Sequence, residues 1–365
     1  MPVRAHAALD AAAVAHNVTR LRRALTGRAR LGVVVKAEGY GHGAPEAARA
    51  ARAAGADWLA VATGAEAAAL RAARLEGRIL VMGALTPDEV GIALDARADV
   101  VAWTEGFVAR VAALGGARVH VKLDTGMGRL GTRDPQQARA VVAAAAAAEG
   151  VEVAGAMTHF ATADERDDPF MAEQLAAFRP FADEVRAAHP GALAHAANSA
   201  ATLRDPATHL DLVRAGVAVY GLDPFQRDAS EEGLRPVLRL TSTVAAVRPI
   251  AAGQSIGYGR RFVADRETTI ATLPIGYGDG WRRALTNAAD VLIRGRRHPL
   301  AGTVSMDNVT VDVGPVTDVE VGDEAVLIGA QGESRITAEE IAGRLGTINY
   351  EVTTGLLPRI PREWR

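Results

Sequence analysis

The protein has 365 residues, and its 41 lysines and arginines nearly balance 43 aspartates and glutamates, which gives a formal net charge of −2. This balance argues against a nucleic-acid partner or a membrane surface held by bulk charge, because both require a basic excess or a basic patch. The sequence has no cysteine, which excludes disulfides, thiolate metal sites and a cysteine nucleophile.

The N-terminal stretch carries Arg4 and Asp10, so it lacks the uninterrupted apolar core of a secretory signal. The longest uninterrupted run of alanine and valine, residues 141–148, is much shorter than a bilayer span. We therefore expect a cytoplasmic protein with no membrane partner.

Short β-branched runs alternate with alanine-rich stretches of helical period from about residue 31 to residue 220. Helices are predicted over stretches such as 64–75, 87–96 and 135–148. This βα repeat indicates an α/β fold with eight parallel strands, closed into a (β/α)8 TIM-like barrel. An open doubly wound sheet would share the alternation, and the count of eight strands favours the barrel. The eight predicted strands are 31–35, 58–62, 79–82, 100–103, 119–123, 151–157, 192–196 and 212–213.

The pattern changes after about Pro236, where β-rich runs are separated by glycine-containing turns. We predict a mostly β C-terminal domain over residues 235–365, joined by residues 1–9, after a barrel over residues 10–234. The β-rich runs in this region are 238–249, 268–273, 291–294, 304–313 and 324–328.

Lys36 ends the first predicted barrel strand and precedes the glycine-rich loop Ala37-Glu38-Gly39-Tyr40-Gly41-His42-Gly43. The carboxyl ends of barrel strands form the catalytic face of such folds. A lysine in a partly apolar rim there is suited to a lowered pKa and to Schiff-base formation.

The same loop also fits a relaxed dinucleotide-binding pattern, Gly39-x-Gly41-x-x-Ala44, with Glu66 near the position of a ribose-binding acid. Three features count against a dehydrogenase. A lysine stands between strand and loop, Tyr40 and His42 fill the variable positions, and the alternation continues to eight strands rather than six.

A second glycine-rich segment, residues 122–131, follows the fifth strand and contains Asp124-Thr125-Gly126 and Arg129. An aspartic protease would need a second such carboxylate, and a P-loop would need a Gly-Lys-Ser/Thr ending; neither is present. The segment therefore presents Arg129 on a loop, where it can form a bidentate pair with a carboxylate.

Polar residues also follow the sixth, seventh and eighth predicted strands, at His159, Ser199 and Arg214. Phosphate groups commonly bind in the loops after the last two strands of a barrel, where Ser199 and the amides of Gly216 and Val217 would stand. In the β domain, Tyr258 and Tyr277 are each flanked by glycines, although hairpin turns with an incidental aromatic residue would look the same.

Taken together, these motifs resemble those of the alanine racemases, in order over residues 5–361. The matching segments are Val34-Val35-Lys36-Ala37 with Gly39-Tyr40-Gly41-His42-Gly43, the segment 122–131, Thr158-His159-Phe160-Ala161, Arg214-Ala215-Gly216-Val217, Gly276-Tyr277-Gly278-Asp279-Gly280, Ser305-Met306-Asp307 and Thr347-Ile348-Asn349-Tyr350-Glu351. The resemblance implies a pyridoxal-phosphate enzyme with an eight-stranded barrel and a C-terminal β domain.

By the same resemblance, Lys36 would bind the cofactor as a Schiff base and Arg214 would face its pyridine nitrogen. Arg129, Met306 and Tyr277 would contact the substrate, and His159 would orient the catalytic tyrosine. Tyr258 and Met306 would come from the partner subunit of a head-to-tail homodimer with shared active sites. Lys122 matches a lysine that is carbamylated in some members, and Glu38 departs from the asparagine that many members carry. The phosphate-binding residues implied are Tyr40, Ser199, Gly216, Val217 and Tyr350.

Racemisation removes the α-proton from one face of the carbon and returns one to the other, so it needs two acid–base groups, which the resemblance implies to be Lys36 and Tyr258. A free tyrosine, with a pKa of about 10, is a poor base at neutral pH. His159 and Arg214 are the candidates for stabilising its phenolate.

The resemblance implies interconversion of L-alanine and D-alanine, which would supply D-alanine for peptidoglycan. Alternatives are a racemase for another amino acid such as serine, or a barrel-type decarboxylase. The decarboxylases use an acid at the pyridine nitrogen and generally a cysteine from the second subunit, whereas this chain has Arg214 and no cysteine. Single-domain pyridoxal-phosphate homeostasis proteins lack the β domain that carries Tyr258.

Overall fold

The structure, a computed structural model, describes residues 4–365. The chain divides into two compact units. The barrel unit comprises residues 14–219 and 232–234, and the β-rich unit comprises the described residues up to Ala13 together with 220–231 and 235–365. Among residues 4–365, no helix has the length and apolar character that a membrane crossing requires.

The first strand of the chain, β1 (Ala5–Leu9), belongs to the β-rich unit. Eight parallel strands, β2 to β9, then form the barrel sheet, in which each strand from β2 to β8 pairs with the next and β9 pairs with β2. These strands are β2 (Arg30–Val34), β3 (Trp58–Val61), β4 (Arg78–Val81), β5 (Asp99–Ala102), β6 (Arg118–Lys122), β7 (Glu152–Met157), β8 (Leu193–His195) and β9 (Leu212–Ala215).

Two backbone hydrogen bonds join the remaining edges, β8 and β9. Asp211 N donates to Ala194 O over 3.0 Å, and Arg214 N donates to Ala197 O over 2.9 Å. The sheet is therefore nearly closed, and the predicted (β/α)8 barrel followed by a mostly β domain is confirmed.

Several helices around the barrel begin at residues with strong N-terminal preferences. Thr63, Thr86, Thr104 and Asp134 each accept a backbone N–H of the helix that follows, which satisfies donors that the helix itself leaves unpaired. The helices of this region are α1 (Ala11–Ala24), α2 (Lys36–Tyr40), α3 (Ala44–Ala53), α4 (Gly64–Ala72), α5 (Pro87–Asp95), α6 (Glu105–Ala113), α7 (Pro135–Ala147), α8 (Phe170–Ala188) and α9 (Ser199–Arg204), of which α2 is a short turn with left-handed backbone angles.

The β-rich unit contains two larger sheets and one two-stranded ribbon. In the first sheet the order is β16-β15-β18-β10-β1-β20, with β19 on β18; in the second it is β11-β14-β17, and β12 pairs with β13. Two helices, α10 (Ala338–Leu345) and α11 (Asn349–Thr354), complete the unit. The strands are β10 (Leu238–Thr243), β11 (Ala246–Ile250), β12 (Ser255–Ile256), β13 (Phe262–Val263), β14 (Thr268–Leu273), β15 (Asp290–Ile293), β16 (Arg296–Pro299), β17 (Val309–Gly314), β18 (Glu324–Gln331), β19 (Ser334–Ile336) and β20 (Arg362–Trp364).

The β-rich run that the sequence suggests over 238–249 is two strands, β10 and β11, in different sheets. The change occurs at two consecutive amides, because Val244 N donates to Asp323 O and Ala245 N donates to Thr272 O, both over 2.8 Å. Pro249 lies on β11, an edge strand, where its missing N–H costs no ladder bond.

Candidate active site

Lys36 follows β2 after a single residue, Val35, at the carboxyl end of the barrel strands. The four residues that follow it have left-handed backbone angles, with φ of 51° at Ala37, 53° at Glu38, 60° at Gly39 and 55° at Tyr40. A left-handed turn costs about 1–2 kcal/mol for each non-glycine residue, so surrounding contacts must hold it.

Glu66 provides one of these contacts. Its Oε1 accepts the amide of Ala37 over 2.6 Å, and its Oε2 accepts the amide of Ala62 over 2.7 Å, while the same side chain completes the capping box with Thr63 at the start of α4. The dinucleotide interpretation of Glu66 is therefore wrong, since its carboxylate is engaged by backbone amides next to Lys36.

The amine of Lys36 lies in a positively charged, partly buried environment. Burial and the nearby Arg129 lower the pKa of Lys36, and Glu66 opposes them. Burial, Arg214 and Arg129 lower the pKa of Lys122 to about 8. Both lysines are therefore more readily deprotonated than a solvated lysine, which suits a nucleophile or a base.

Arg129 is exposed on the loop after β6. Asp124, at the start of that loop, stabilises the conformation of the loop. Asp124 accepts the amides of Gly126 and Gly128 over 3.0–3.1 Å and an N–H of Arg133 over 3.3 Å. Burial alone would raise the pKa of Asp124, but these hydrogen bonds outweigh it and lower the pKa. Asp124 is thus a structural carboxylate that supports the loop bearing Arg129.

Ser199, Gly216 and Tyr40 form a small cradle of hydrogen-bond donors in the barrel unit. The hydroxyl oxygen of Ser199 accepts the amides of Gly216 over 2.9 Å and of Ala218 over 3.3 Å, with Val217 between them in the chain. A methyl group on Gly216 would overlap the phenol oxygen of Tyr40. Burial raises the pKa of Tyr40 to about 12, so its phenol remains a donor.

Arg214 is buried on β9 and is surrounded by acceptors. It donates to Nδ1 of His195 over 2.8 Å, to the carbonyls of Thr158 and Ala196 over 2.9 Å each, and to Nδ1 of His159 over 3.1 Å. Burial lowers its pKa to about 10, so it remains cationic at neutral pH.

His159 is neutral at neutral pH, because burial and the positive charges of Arg214 and Lys122 hold its pKa well below the usual range. Arginine has no acceptor, so Nδ1 of His159 carries no proton and Nε2 carries the N–H. Of the two candidates for stabilising a phenolate, only Arg214 brings a positive charge. His159 can transmit that charge by donating from Nε2.

The β-rich unit presents its own site residues on converging loops. Thr303 Oγ1 donates to the carbonyl of Tyr258 over 2.7 Å, and the amide of Gly278 donates to the carbonyl of Met306 over 2.9 Å. Three large side chains of these loops are solvent-exposed, at 74% for Tyr258, 51% for Met306 and 39% for Tyr277. Tyr350 lies half-buried on α11 of the same unit.

The predicted residues thus fall into two groups by unit. Hydrogen bonds and charges link residues of each group within its own unit, and Tyr350 lies on α11 of the β-rich unit. The barrel unit contains Lys36, Tyr40, Arg129, His159, Ser199, Arg214, Gly216 and Val217, and the β-rich unit contains Tyr258, Tyr277, Met306 and Tyr350.

Sequence reasoning missed Asp99, His120 and His195, which are buried polar residues on barrel strands. The available signal was a charged or imidazole side chain inside otherwise β-branched strand runs, where an apolar residue is usual. Within residues 4–365, no cluster of three or more histidine, aspartate or glutamate side chains is arranged to hold a metal ion.

Two family models match the chain, the alanine racemase N-terminal domain over residues 9–224 and the alanine racemase C-terminal domain over residues 237–364. An alanine racemase of Symbiobacterium thermophilum is 43% identical, over 98% of this chain and 96% of the relative.

The chain is also similar to solved structures of alanine racemases. The alanine racemase from D-cycloserine-producing Streptomyces lavendulae is similar with a TM-score of 0.94 and 39% identity, covering 100% of this chain and 98% of that one. The alanine racemase from Streptomyces coelicolor A3(2) has the same TM-score and identity, covering 99% and 98%.

Proposed function

Because the chain belongs to the alanine racemase family, we propose that it interconverts L-alanine and D-alanine with Lys36 and Tyr258 of the partner subunit as the two acid–base groups. The observation that carries the proposal is the environment of Lys36. A lysine of lowered pKa stands at the barrel mouth, in the same unit as a donor cradle and the Arg214–His159 pair. The relatives at high coverage are racemases, so the decarboxylase alternative is not supported.

The donor set of the barrel unit fits pyridoxal phosphate. The hydroxyls of Ser199 and Tyr40 and the amides of Gly216 and Val217 are suited to a phosphate, and the absent side chain of Gly216 lets the phenol oxygen of Tyr40 lie against its backbone. When bound through Lys36, this cofactor supplies an electron sink that makes the α-proton of an amino acid removable. Tyr350 of the β-rich unit would add a further phosphate donor.

Two groups on opposite faces of the α-carbon exchange its proton. Once the amino group of the substrate has replaced Lys36 in its bond to the cofactor, the freed amine Nζ of Lys36 would take the α-proton of D-alanine, and the phenol of Tyr258 of the partner subunit would give a proton to the other face. In the reverse direction the phenolate accepts the proton of L-alanine and the Lys36 ammonium returns one.

The phenolate needs a positive neighbour, which Arg214 supplies. His159 accepts an N–H of Arg214 at Nδ1 and so keeps Nε2–H as the donor that would orient and stabilise the tyrosine oxygen. A further N–H of Arg214 would donate to the pyridine nitrogen. A guanidinium cannot protonate that nitrogen as a carboxylic acid would, which limits side reactions.

Arg129 would bind the carboxylate of the substrate, because it is a guanidinium on a fixed loop whose charge acts on both Lys36 and Lys122. A carbamate on Lys122 would give Arg129 an acidic partner. The pKa of about 8 at Lys122 leaves part of the amine unprotonated and able to attack carbon dioxide, with one proton released to solvent.

The exposed Tyr258, Met306 and Tyr277 support a head-to-tail homodimer in which each β-rich unit completes the site of the other subunit. Large apolar side chains clustered on an exposed surface are typical of an interface. In the cell, such an enzyme would supply D-alanine for peptidoglycan from the cytoplasm.

The test is the formation of D-alanine from L-alanine by the purified holoenzyme, with L-serine and L-lysine as competing substrates. We expect D-alanine to accumulate to an equal mixture of enantiomers, with slower turnover of the competitors. A holoenzyme with full cofactor content that leaves L-alanine unchanged would refute the proposal, and faster turnover of serine would replace alanine by serine as the substrate.

A further inference from the structure

Four buried polar side chains form a continuous hydrogen-bonded chain across the barrel interior. Arg214 Nη1 meets Nδ1 of His195 over 2.8 Å, and Nε2 of His195 meets Nδ1 of His120 over 2.8 Å. Nε2 of His120 then meets Oδ2 of Asp99 over 3.3 Å. Barrel interiors are usually filled by branched apolar residues, so this polar chain has to be accounted for.

The donors and acceptors in this chain can be arranged in only one way. Arginine only donates, so Nδ1 of His195 is an acceptor and the proton of the neutral ring is on Nε2. That N–H donates to Nδ1 of His120, which places the proton of His120 on Nε2, where it donates to Asp99. Every donor then has an acceptor, and the carboxylate at one end matches the guanidinium at the other.

The carboxylate of Asp99 is itself anchored. Nε of Arg118 donates to Oδ2 over 3.1 Å, and Nη1 of Arg78 meets Oδ1 over 3.5 Å. Asp99 is only 2% exposed, so neither solvent nor rotation readily replaces it as the acceptor for His120. A carboxylate that accepts from an imidazole N–H fixes the tautomer and the orientation of the ring.

The strands leave room for the His120 ring. Opposite it on β7 stands Gly155, where a methyl group would overlap the carbonyl oxygen of Leu193 and lie 2.6 Å from Nδ1 of His120. The register of β6 against β7 shifts by one residue between Val119 and His120, with Ala154 of β7 left without a partner on β6, so that Gly155 comes to stand opposite His120. Trp58 meets the ring edge-on, with centroids 5.6 Å apart.

We propose that Asp99 and His120 are positioning residues for Arg214. Their hydrogen bonds keep His195 in the tautomer that accepts from the guanidinium, and so fix the arginine N–H that would face the pyridine nitrogen. The inference rests on the proposed function, because the cofactor gives this orientation its use. Replacing Asp99 by asparagine offers His120 an amide that can donate, which permits the opposite tautomers and an N–H of His195 directed at Arg214.

The first measurement uses the wild-type holoenzyme and needs no variant. Histidine-labelled ¹⁵N NMR, or neutron diffraction, reports which ring nitrogen carries hydrogen. The proposal predicts hydrogen on Nε2 alone in both His120 and His195. Hydrogen on Nδ1 of either ring would overturn it.

The second measurement compares Asp99→Asn with Glu152→Gln. Glu152 is the matched control, because it also pairs with Arg118 but is exposed and makes no hydrogen bond to His120. For Asp99→Asn we expect kcat to fall about tenfold or more while KM for alanine changes less than about twofold, together with a changed ¹⁵N signal of His195. Glu152→Gln should leave kcat and the signal as in the wild type.

The outcomes separate this inference from the proposed function. A wild-type holoenzyme that does not racemise alanine contradicts the function. A wild type that racemises, with an Asp99→Asn variant that keeps its kcat and the His195 signal, contradicts only the positioning role. Equal loss of kcat in both variants also contradicts it, because the loss would then follow from Arg118 rather than from the chain.

Discussion

The barrel mouth contains charged residues and also a glycine, Gly216, that matters because it has no side chain. Burial, together with the positive charges of Arg214, Lys122 and Arg129, keeps His159 neutral, and burial together with Arg129 lowers the pKa of Lys36. Gly216 brings nothing but the absence of a side chain, next to the phenol of Tyr40. The position of the Tyr40 phenol therefore depends on the absence of a side chain at Gly216, just as the protonation of His159 depends on the nearby cations.

Gly216→Ala should weaken cofactor binding. The added methyl overlaps the Tyr40 oxygen, and displacing this buried phenol should reduce affinity for pyridoxal phosphate by roughly tenfold to a hundredfold. Titration of the cofactor-free protein, followed by cofactor absorbance, measures the change. Gly106→Ala on α6 is the control, because nothing lies within 4 Å of its new methyl group. Equal affinity of both variants would show that Gly216 is not part of the phosphate site.

Glu66→Gln should shift the pH dependence of Lys36. The charge of Glu66 raises the pKa of Lys36, so its removal lowers that pKa further, while glutamine retains an oxygen for the amide of Ala37. The deprotonated amine captures the cofactor, so the capture rate of the cofactor-free protein should reach half its maximum at a lower pH than in the wild type.

Glu89→Gln is the matched control for this shift, since Glu89 completes the equivalent capping box of α5 with Thr86 and does not act on Lys36. The same shift in both variants, or a shift to higher pH with Glu66→Gln, would contradict the assigned electrostatics.

Among the elements, the turn after β2 is the most unusual. Ala37, Glu38, Gly39 and Tyr40 form a left-handed turn in which only Gly39 is free of the usual steric penalty. Asparagine tolerates this conformation better than glutamate. The departure at Glu38 from the asparagine of many alanine racemases therefore has a calculable consequence for stability.

Glu38→Asn should raise the thermal midpoint by about 1–2 °C, since the gain in backbone free energy is about 0.5–1 kcal/mol. Differential scanning calorimetry of the holoenzyme measures it. Glu46→Asn, in the first turn of the right-handed helix α3, should give no gain, because asparagine is the weaker helix former and the pair with Arg49 is lost. A lower midpoint for Glu38→Asn would contradict the strain argument.

Most barrel elements could be predicted from the sequence, because their periodicity is local. The observed strand β3 (Trp58–Val61) and helix α7 (Pro135–Ala147) lie within one residue of their predicted bounds. The division of 238–249 into β10 and β11 could not be predicted, since it depends on which distant carbonyl each amide meets. The roles of Glu66 and His120 depend likewise on partners 29 and 75 residues away.

The whole molecule presents its two groups of site residues in separate units, and Tyr258 is largely exposed in its own. An acid–base group that is open to solvent would exchange its proton with water rather than with a substrate. In the proposed dimer, the β-rich unit of one subunit would cover the barrel mouth of the other. Neither subunit alone would then contain a complete site.

Mixing two inactive variants tests this arrangement. One subunit carries Lys36→Ala and the other carries Tyr258→Phe; the two are unfolded, refolded together with cofactor, and assayed for conversion of L-alanine to D-alanine. If each site combines Lys36 of one subunit with Tyr258 of the other, half of the dimers are mixed and each has one intact site, so about a quarter of wild-type activity should return. If both residues of a site came from one subunit, every site would carry a defect, and the mixture would remain as inactive as either variant refolded alone.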